Sequence, residues 1–424
     1  MSNEALWKRN FRILWSSQFI SIAGLTVLVP LLPIYIASLK DLSVTEIQLW
    51  SGVAIAAPAV TTMISSPLWG KLGDKISRKW MVIRALIGLG ICLVLMSFCT
   101  TPLQFVLVRL LQGLFGGVVD ASNAFATSEA PLNERGKVLG HLQSSISAGS
   151  LVGPLIGGVL ATIVGFQTLL LSIGIMTFIV CAIGMLYLIE RAHHKHHADA
   201  APPVQCSVSQ SFKCLLCTKV TRRFIIVGIL ANLAMYGMMT ALAPLVSGVN
   251  ATVLDDKAAI GLIQSAFWIA SILSAPLWGM LNDKHYVKYV YIATTLVCGL
   301  SVVLQGVSSS LWVLLLFRMI QGFTYSALIQ SVMFVVVNAC HKDLKGSFVG
   351  STNSMLVIGQ VTGSMIGALV TSYYSPIVTF IVMGIIFMSS SLVLLSSQLS
   401  RVKDYQLLMN QVWELKVQRA KHSK

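Results

Sequence analysis

The chain has 424 residues, 55% hydrophobic and only 11% charged, with a mean hydropathy of +0.79. Water-soluble domains carry roughly 25% charged residues, so a chain this apolar cannot cover a water-facing fold, and its solvent is lipid. The net charge of +15 is spread between the apolar runs rather than gathered in a patch, which argues against nucleic acid as a partner.

Twelve apolar segments are long enough to span about 30 Å as helices. They run approximately over 13–38, 47–70, 80–98, 103–126, 138–161, 167–189, 223–247, 258–280, 288–306, 311–337, 346–370 and 375–396. Barrel strands alternate apolar and polar residues, and these continuous runs do not. The first run is too long for the h-region of a signal peptide, and no small-residue cleavage site follows it. That run carries Gly24 and Pro30-Leu-Leu-Pro33-Ile-Tyr35. Two prolines three apart predict a kinked or locally unwound helix. The second segment ends on Pro67-Leu68-Trp69-Gly70 and opens a charged loop, Lys71-Leu72-Gly73-Asp74-Lys75.

The fourth segment holds Arg109-x-x-Gln112-Gly113 and, eleven residues after the arginine, Asp120. In an unbroken helix eleven residues return to within about 20° of the same face, roughly 16 Å along the axis. Arg109, Gln112, Gly116 and Asp120 would then form one polar stripe facing a central cavity. Buried ionisable residues are expensive in lipid and mark function. Asp120 is the one carboxylate placed well inside a segment. It reads equally as a proton-coupling acid and as a solvated rim carboxylate paired with Arg135 or Lys137. His141, at the start of the fifth segment, reads either as a candidate proton carrier or as a rim histidine bonded to a carbonyl.

The fifth segment reads Gly149-Ser-Leu-Val-Gly153-Pro154-Leu-Ile-Gly157-Gly158. Glycines four apart share one helix face and allow a second helix to come close. Between the sixth and seventh segments lies the one long hydrophilic insertion, with His193, His194, His196 and His197 and later Cys214-x-x-Cys217. These lack a recognised zinc spacing, so a flexible tether is expected and no metal or other cofactor. Segments seven and eight offer Met235, Tyr236, Met238, Met239, Gln264, Phe267 and Trp268, a set that suits either a permissive apolar pocket or bundle packing. Gln143, Gln330 and Asn353 are further polar candidates. The tail from Arg401 alternates charge with Leu408, Met409, Val412, Trp413 and Leu415, as a surface helix would.

Pro276-Leu277-Trp278-Gly279 repeats the first tetrapeptide 209 residues on, followed by Asp283 and Lys284, and Arg318-x-x-Gln321-Gly322 repeats the second motif at the same offset. One spacing kept by two unrelated motifs indicates a tandem duplication. The expected fold is all-α: a polytopic membrane protein with twelve transmembrane helices in two pseudo-symmetric six-helix bundles. The expected divisions are 1–190, a linker at 191–222, 223–400 and a tail at 401–424. Assigning loops alternately to two sides puts Lys8, Arg9, Arg12, Lys71, Lys75, Arg78, Lys79, the 190–223 segment, Lys284, Lys288, Lys342, Lys345 and the tail on one side. The other receives Lys40 and Lys257 against Asp41, Glu46, Asp255 and Asp256. The positive-inside rule then makes both termini and the linker cytoplasmic. The eight cysteines suggest no disulfide framework.

The loop Gly70-Lys-Leu72-Gly-Asp74-Lys75-Ile-Ser77-Arg78-Lys79 resembles the signature between helices 2 and 3 of the major facilitator superfamily, with Ser77 where the family has glycine. The fifth segment is similar to that family's antiporter signature, and the first to twelve-helix drug:proton antiporters. The resemblance covers nearly the whole chain. It implies that Asp74 docks on helix 11, which should begin near Gly346, and that Arg109 is tied to proton coupling. Arg78 would pair with Glu129, and Gly70 and Lys79 would complete the gating loop, unless Arg78 and Lys79 serve topology alone. The first segment lacks the acid that some drug antiporters carry, which leaves room for an anionic or polar substrate. The expected function is export of small molecules by proton antiport, of the multidrug type, by a monomer in contact with lipid in a bacterial inner membrane. The alternative is a dedicated exporter of a metabolite such as a siderophore. A transporter-like receptor is the rival from another class. No phosphate-binding loop is present and no catalytic constellation is found, so an enzyme is not expected.

Overall fold

A computed structural model describes residues 3–73, 76–129, 135–190, 212, 215–216, 219–249, 254–338 and 345–395. Among these residues every regular element is helical, and twelve helices are long and apolar enough to cross a membrane. They are α1 (Asn3–Leu28), α2 (Val44–Gly73), α3 (Arg78–Ser97), α4 in two pieces (Pro102–Leu114 and Val118–Glu129), α5 (Arg135–Ile163) and α6 (Gly165–Tyr187). The second half supplies α7 (Lys219–Val249), α8 (Asp256–Lys284), α9 (Val287–Gly306), α10 (Leu311–Asn338), α11 (Lys345–Tyr373) and α12 (Pro376–Leu395).

Several helix starts are capped by short polar side chains, because a free N–H has no water partner near lipid. Ser43 and Glu46 bond reciprocally at the start of α2. Thr101 and Gln104 form a capping box, with Pro102 in the first turn of α4. Asp255 accepts the Lys257 N–H at 3.0 Å to open α8.

Two spans are interrupted. α1 stops at Leu28 and resumes as a short helix, Leu32–Ala37, as its two prolines predict. The break in α4 departs from the sequence expectation. Phe115, Gly116 and Gly117 leave the helix, with Gly117 at φ 100°, a conformation that favours glycine. A break in lipid frees carbonyls that must find donors, and here they do. Arg84 donates to the Phe115 oxygen at 3.4 Å and to the Gly116 oxygen at 3.2 Å. The Trp69 indole donates to the Leu114 oxygen at 2.7 Å. Asp120 therefore opens a second helical piece, and the unbroken stripe from Arg109 to Asp120 is not formed.

Within the first half α1 packs on α5, α2 on α4 and α3 on α6. Within the second α7 packs on α11, α8 on α10 and α9 on α12, the same pattern six helices on. Individual contacts recur as well. Trp278 donates to the Phe323 oxygen at 2.6 Å, both partners 209 positions beyond Trp69 and Leu114. A Cβ at Gly149 would lie 2.8 Å from the Phe19 oxygen of α1, and one at Gly359 would lie 3.0 Å from Asn232 of α7.

The halves meet along two seams, α2 with α11 and α5 with α8. In the first, a Cβ at Gly52 would lie 2.7 Å from the Ser364 oxygen and would overlap Ala368. In the second, a Cβ at Gly158 would lie 3.3 Å from the Gly261 Cα, and one at Gly261 would overlap the Pro154 carbonyl. Gly261 is Gly52 displaced by 209 positions, so the two seams are equivalent. Ser372 to the Thr45 oxygen, Lys257 to the Ala161 oxygen, Thr162 to Asp255 and Ser265 to the Leu151 oxygen bond across them. These contacts run from the rim toward the membrane centre on the side opposite Asn3 and Leu395. The halves are sealed on that side.

Candidate substrate site and gating contacts

α3 packs with α6 and α9 with α12, behind the seam helices. That leaves α1, α4, α7 and α10 between the two seams, bordering the space between the halves. The buried charges sit here. Arg109 is 4% exposed and Arg318 is 0% exposed. Arg109 donates its Nε to the Ala54 oxygen of α2 at 3.1 Å and a terminal nitrogen to Gln112 at 2.8 Å. The i, i+3 spacing puts arginine and glutamine on one face. Arg318 repeats that pair, with Gln321 at 2.9 Å, and adds Gln264 of α8 at 2.5 Å. Its guanidinium also lies 5.1 Å from the Phe267 ring centre and 3.8 Å from the Met238 sulfur. Gln321 donates to Met238 at 3.1 Å and accepts from Gln305 at 3.1 Å. Gln305, fully buried, was not legible as a site residue because nothing in its local sequence marks it.

Other sequence candidates separate from this centre. Asp120 is exposed in the first turn of its helical piece, where an acid also suits the helix dipole. It meets no hydrogen-bonding partner among the described residues. The side chains of Arg135 and Lys137, its expected rim partners, lie outside them. Gln143, His141 and Asn353 are exposed. Gln330 donates to Ser326 at 3.2 Å on its own helix. Tyr236 and Trp268 pack against the core.

The antiporter-like glycines divide between two neighbours. Gly149, Gly153 and Gly157 face α1, with a Cβ at Gly153 falling 2.6 Å from the Ala23 oxygen. Gly158 and Pro154 face α8 across the seam.

The loop expected to act as a gate lies partly outside the described residues. Asp74, and so its docking on α11, lies outside the described residues, as does the side chain of its repeat mate Asp283. Gly70 lies in the last turn of α2, which runs on to Gly73, and Gly279 has open space around it except for Gln330 at 4.0 Å. Ser77 is the N-cap of α3 at φ −152°, extended backbone that needs no glycine, which explains the departure from the family loop. The acid at Arg78 is Glu190, not the expected Glu129. α3 begins beside the end of α6, where Glu190 accepts the N–H groups of Arg78 at 3.0 Å and Lys79 at 3.1 Å and the Ser77 hydroxyl. The Arg78 side chain donates to the Ala124 oxygen at 3.3 Å, and Lys79 to the Met185 oxygen at 2.8 Å. Glu129 is buried at the end of α4.

Burial raises the Glu190 pKa, but the Ser77 bond, the two N–H groups and the Arg78 charge outweigh it and hold the carboxyl below its usual range. A depressed pKa stabilises the folded state above the ordinary carboxylate range, and the effect is lost as pH falls through the folded value. Glu190→Gln should therefore melt below the parent at pH 7. The gap should close in acid, as followed by thermal unfolding across pH.

An apolar groove of about 920 Å³ opens on the outer surface of the second half between α8, α9 and α10, lined by Leu273, Leu277, Trp278, Tyr289, Phe323 and Thr324. In the first half Phe115 and Arg84 occupy the positions matching Thr324 and Ala293. Phe115 packs on Gly88 and Arg84 stacks 3.7 Å over Trp69. The groove faces lipid, away from both buried arginines.

The Major Facilitator Superfamily pattern matches residues 14–255 and 230–406. The chain belongs to this superfamily. It is 66% identical to the staphyloferrin B transporter of Staphylococcus aureus (strain NCTC 8325 / PS 47), over 99% of this chain and 100% of that one. It is 30% identical to the multidrug resistance protein MdtG of Proteus mirabilis (strain HI4320), over 87% and 90%. Among solved structures it is similar to the nucleoside transporter NupG, with a TM-score of 0.73 and 16% identity over 94% and 98% of the chains. It is also similar to a bacterial homolog of the human lysosomal transporter Spinster, with a TM-score of 0.69 and 13% identity over 95% and 96%. These two solved structures support the superfamily fold. The chain is a multi-pass membrane transporter.

Proposed function

We propose that the chain exports a siderophore of the staphyloferrin kind across a bacterial cytoplasmic membrane, in exchange for protons, and does so as a monomer. The observation that carries this reading is the 66% identity to the staphyloferrin B transporter along the full length of both chains. It favours a dedicated exporter over the multidrug reading, whose relatives match at 30% or less. The basic loops support cytoplasmic termini. In that orientation the seams close the outer side, which leaves the cytoplasmic side as the one from which an exporter would load. Coupling falls to Asp120, the one exposed acid well inside a span, with Arg109 next to the cavity.

Cells that make staphyloferrin B but lack its transporter should return the compound to the medium when this chain is expressed. Unchanged secretion, combined with higher tolerance of several unrelated drugs, would favour the multidrug reading instead. In proteoliposomes Asp120→Asn should bind substrate yet lose flux driven by a pH gradient. If that variant pumps like the parent, protons travel through another group, His141 and Glu129 being next.

A further inference from the structure

We infer that Arg109 and Arg318 together form an anion site, and that the transported molecule carries carboxylate-type negative charges which the two guanidiniums share. This deepens the export reading and rests on it for the direction of movement, though not for the charge of the ligand.

A guanidinium keeps its positive charge in proteins, and a charge inside the membrane is retained only where it does something. Both arginines lie well within their spans and are buried. Among the described residues neither has an acidic partner. Their acceptors are neutral: the Ala54 carbonyl, the amides of Gln112, Gln321 and Gln264, and a methionine sulfur. The Nε of Arg318 is buried with no hydrogen-bonding partner among the described residues. Two like charges in a low-dielectric interior, held by neutral groups, leave an electrostatic deficit that an anion would remove.

Position adds a second line of support. Both arginines occupy equivalent places in the duplicated halves, on helices that border the space between them. Each is tied to a seam helix. Ala54 is two residues from Gly52, which packs on Ser364. Gln264 adjoins Ser265, which bonds the Leu151 oxygen across the other seam at 2.9 Å. A ligand that drew both guanidiniums inward would therefore act directly on the contacts that seal the outer side.

Carboxylate matches the guanidinium fork, giving two parallel charge-assisted bonds. An amide such as Gln264, Gln321 or Gln112 can turn its NH₂ toward the ligand once its oxygen is released. A cationic drug meets the opposite: two positive charges and no acid in the membrane-crossing part of α1, Lys8–Leu28.

The test uses the purified full-length protein in detergent at pH 7 and low ionic strength, with citrate as a tricarboxylate probe. Its neutral trimethyl ester and tetraphenylphosphonium serve as controls, and binding is read by calorimetry and thermal shift. Citrate should bind and raise the melting temperature, and neither control should compete. Arg109→Gln and Arg318→Gln should each weaken citrate at least tenfold. Arg109→Lys and Arg318→Lys, which keep charge and bulk, should retain part of the affinity and show that loss in the Gln variants is not misfolding. Equal binding of citrate and its ester, or unchanged citrate affinity in both Gln variants, would overturn the site. Failed secretion of staphyloferrin B with intact, arginine-dependent citrate binding would count against the export reading alone.

Discussion

Gly158→Leu should stop transport and hold the protein open on the side that is sealed in this structure, while leaving membrane insertion intact. Gly158 has no room for a side chain. A Cβ there would overlap the Lys257 carbonyl and come within 3.3 Å of the Gly261 Cα on the opposite half. The contact is between halves, so the strain is relieved by rocking them apart rather than by unfolding either bundle. Overpacking typically costs about 1–3 kcal/mol, and each ~1.4 kcal/mol shifts a two-state balance tenfold. The sealed state should lose roughly five- to hundredfold in population, and alternating access requires that state once per cycle. Ser265→Cys, placed in a background without other cysteines, reports on the seam because Ser265 is buried against it. A membrane-impermeant maleimide should label it from the side sealed in this structure only when Gly158→Leu is also present. Gly140→Leu, on the same helix but with nothing within 4 Å of its Cβ position, should transport normally. Parent-like flux in Gly158→Leu with an unreactive Cys at 265 would remove the seam from the mechanism.

Much of this was legible in the sequence because the fold is written twice. The Trp-Gly and Arg-x-x-Gln motifs recur at one offset, and the hydrogen bonds they make recur with them. The glycines of α5 announced close packing by their spacing. Their division between α1 and α8 was not readable, since periodicity gives a face but not a neighbour. Gly52 and Gly261 stand alone in apolar runs, where a glycine that meets another helix looks like one that faces lipid. Glu190 was hidden because its partners at Ser77, Arg78 and Lys79 are more than a hundred positions away. The polar stripe of α4 failed for a physical reason. Spans tolerate glycine when neighbours satisfy the freed backbone, so Gly116 and Gly117 alone decide nothing. The break depends on Arg84 and Trp69, which belong to other helices.

That dependence makes Arg84→Leu the most damaging single change expected in the first half. Arg84 supplies the donors for the Phe115 and Gly116 carbonyls, and its guanidinium covers the Trp69 ring whose indole holds the Leu114 carbonyl. Leucine offers no donor to either carbonyl. An unsatisfied buried polar group costs about 1–3 kcal/mol, so two carbonyls left open predict a loss on the order of 3 kcal/mol. α4 can respond only by straightening through Gly117, which needs a new path for the residues that follow, Asp120 among them. Detergent-solubilised Arg84→Leu should melt well below the parent. Arg84→Lys, with one point donor in place of a fork, should fall between them. The second half provides the control. There α10 runs unbroken from Leu311 to Asn338 and Ala293 stands at the position matching Arg84, exposed on the groove. Ala293→Leu leaves every backbone bond in place and should melt within a degree or two of the parent. Equal melting of Arg84→Leu and the parent would mean that the α4 break is held by something other than this guanidinium.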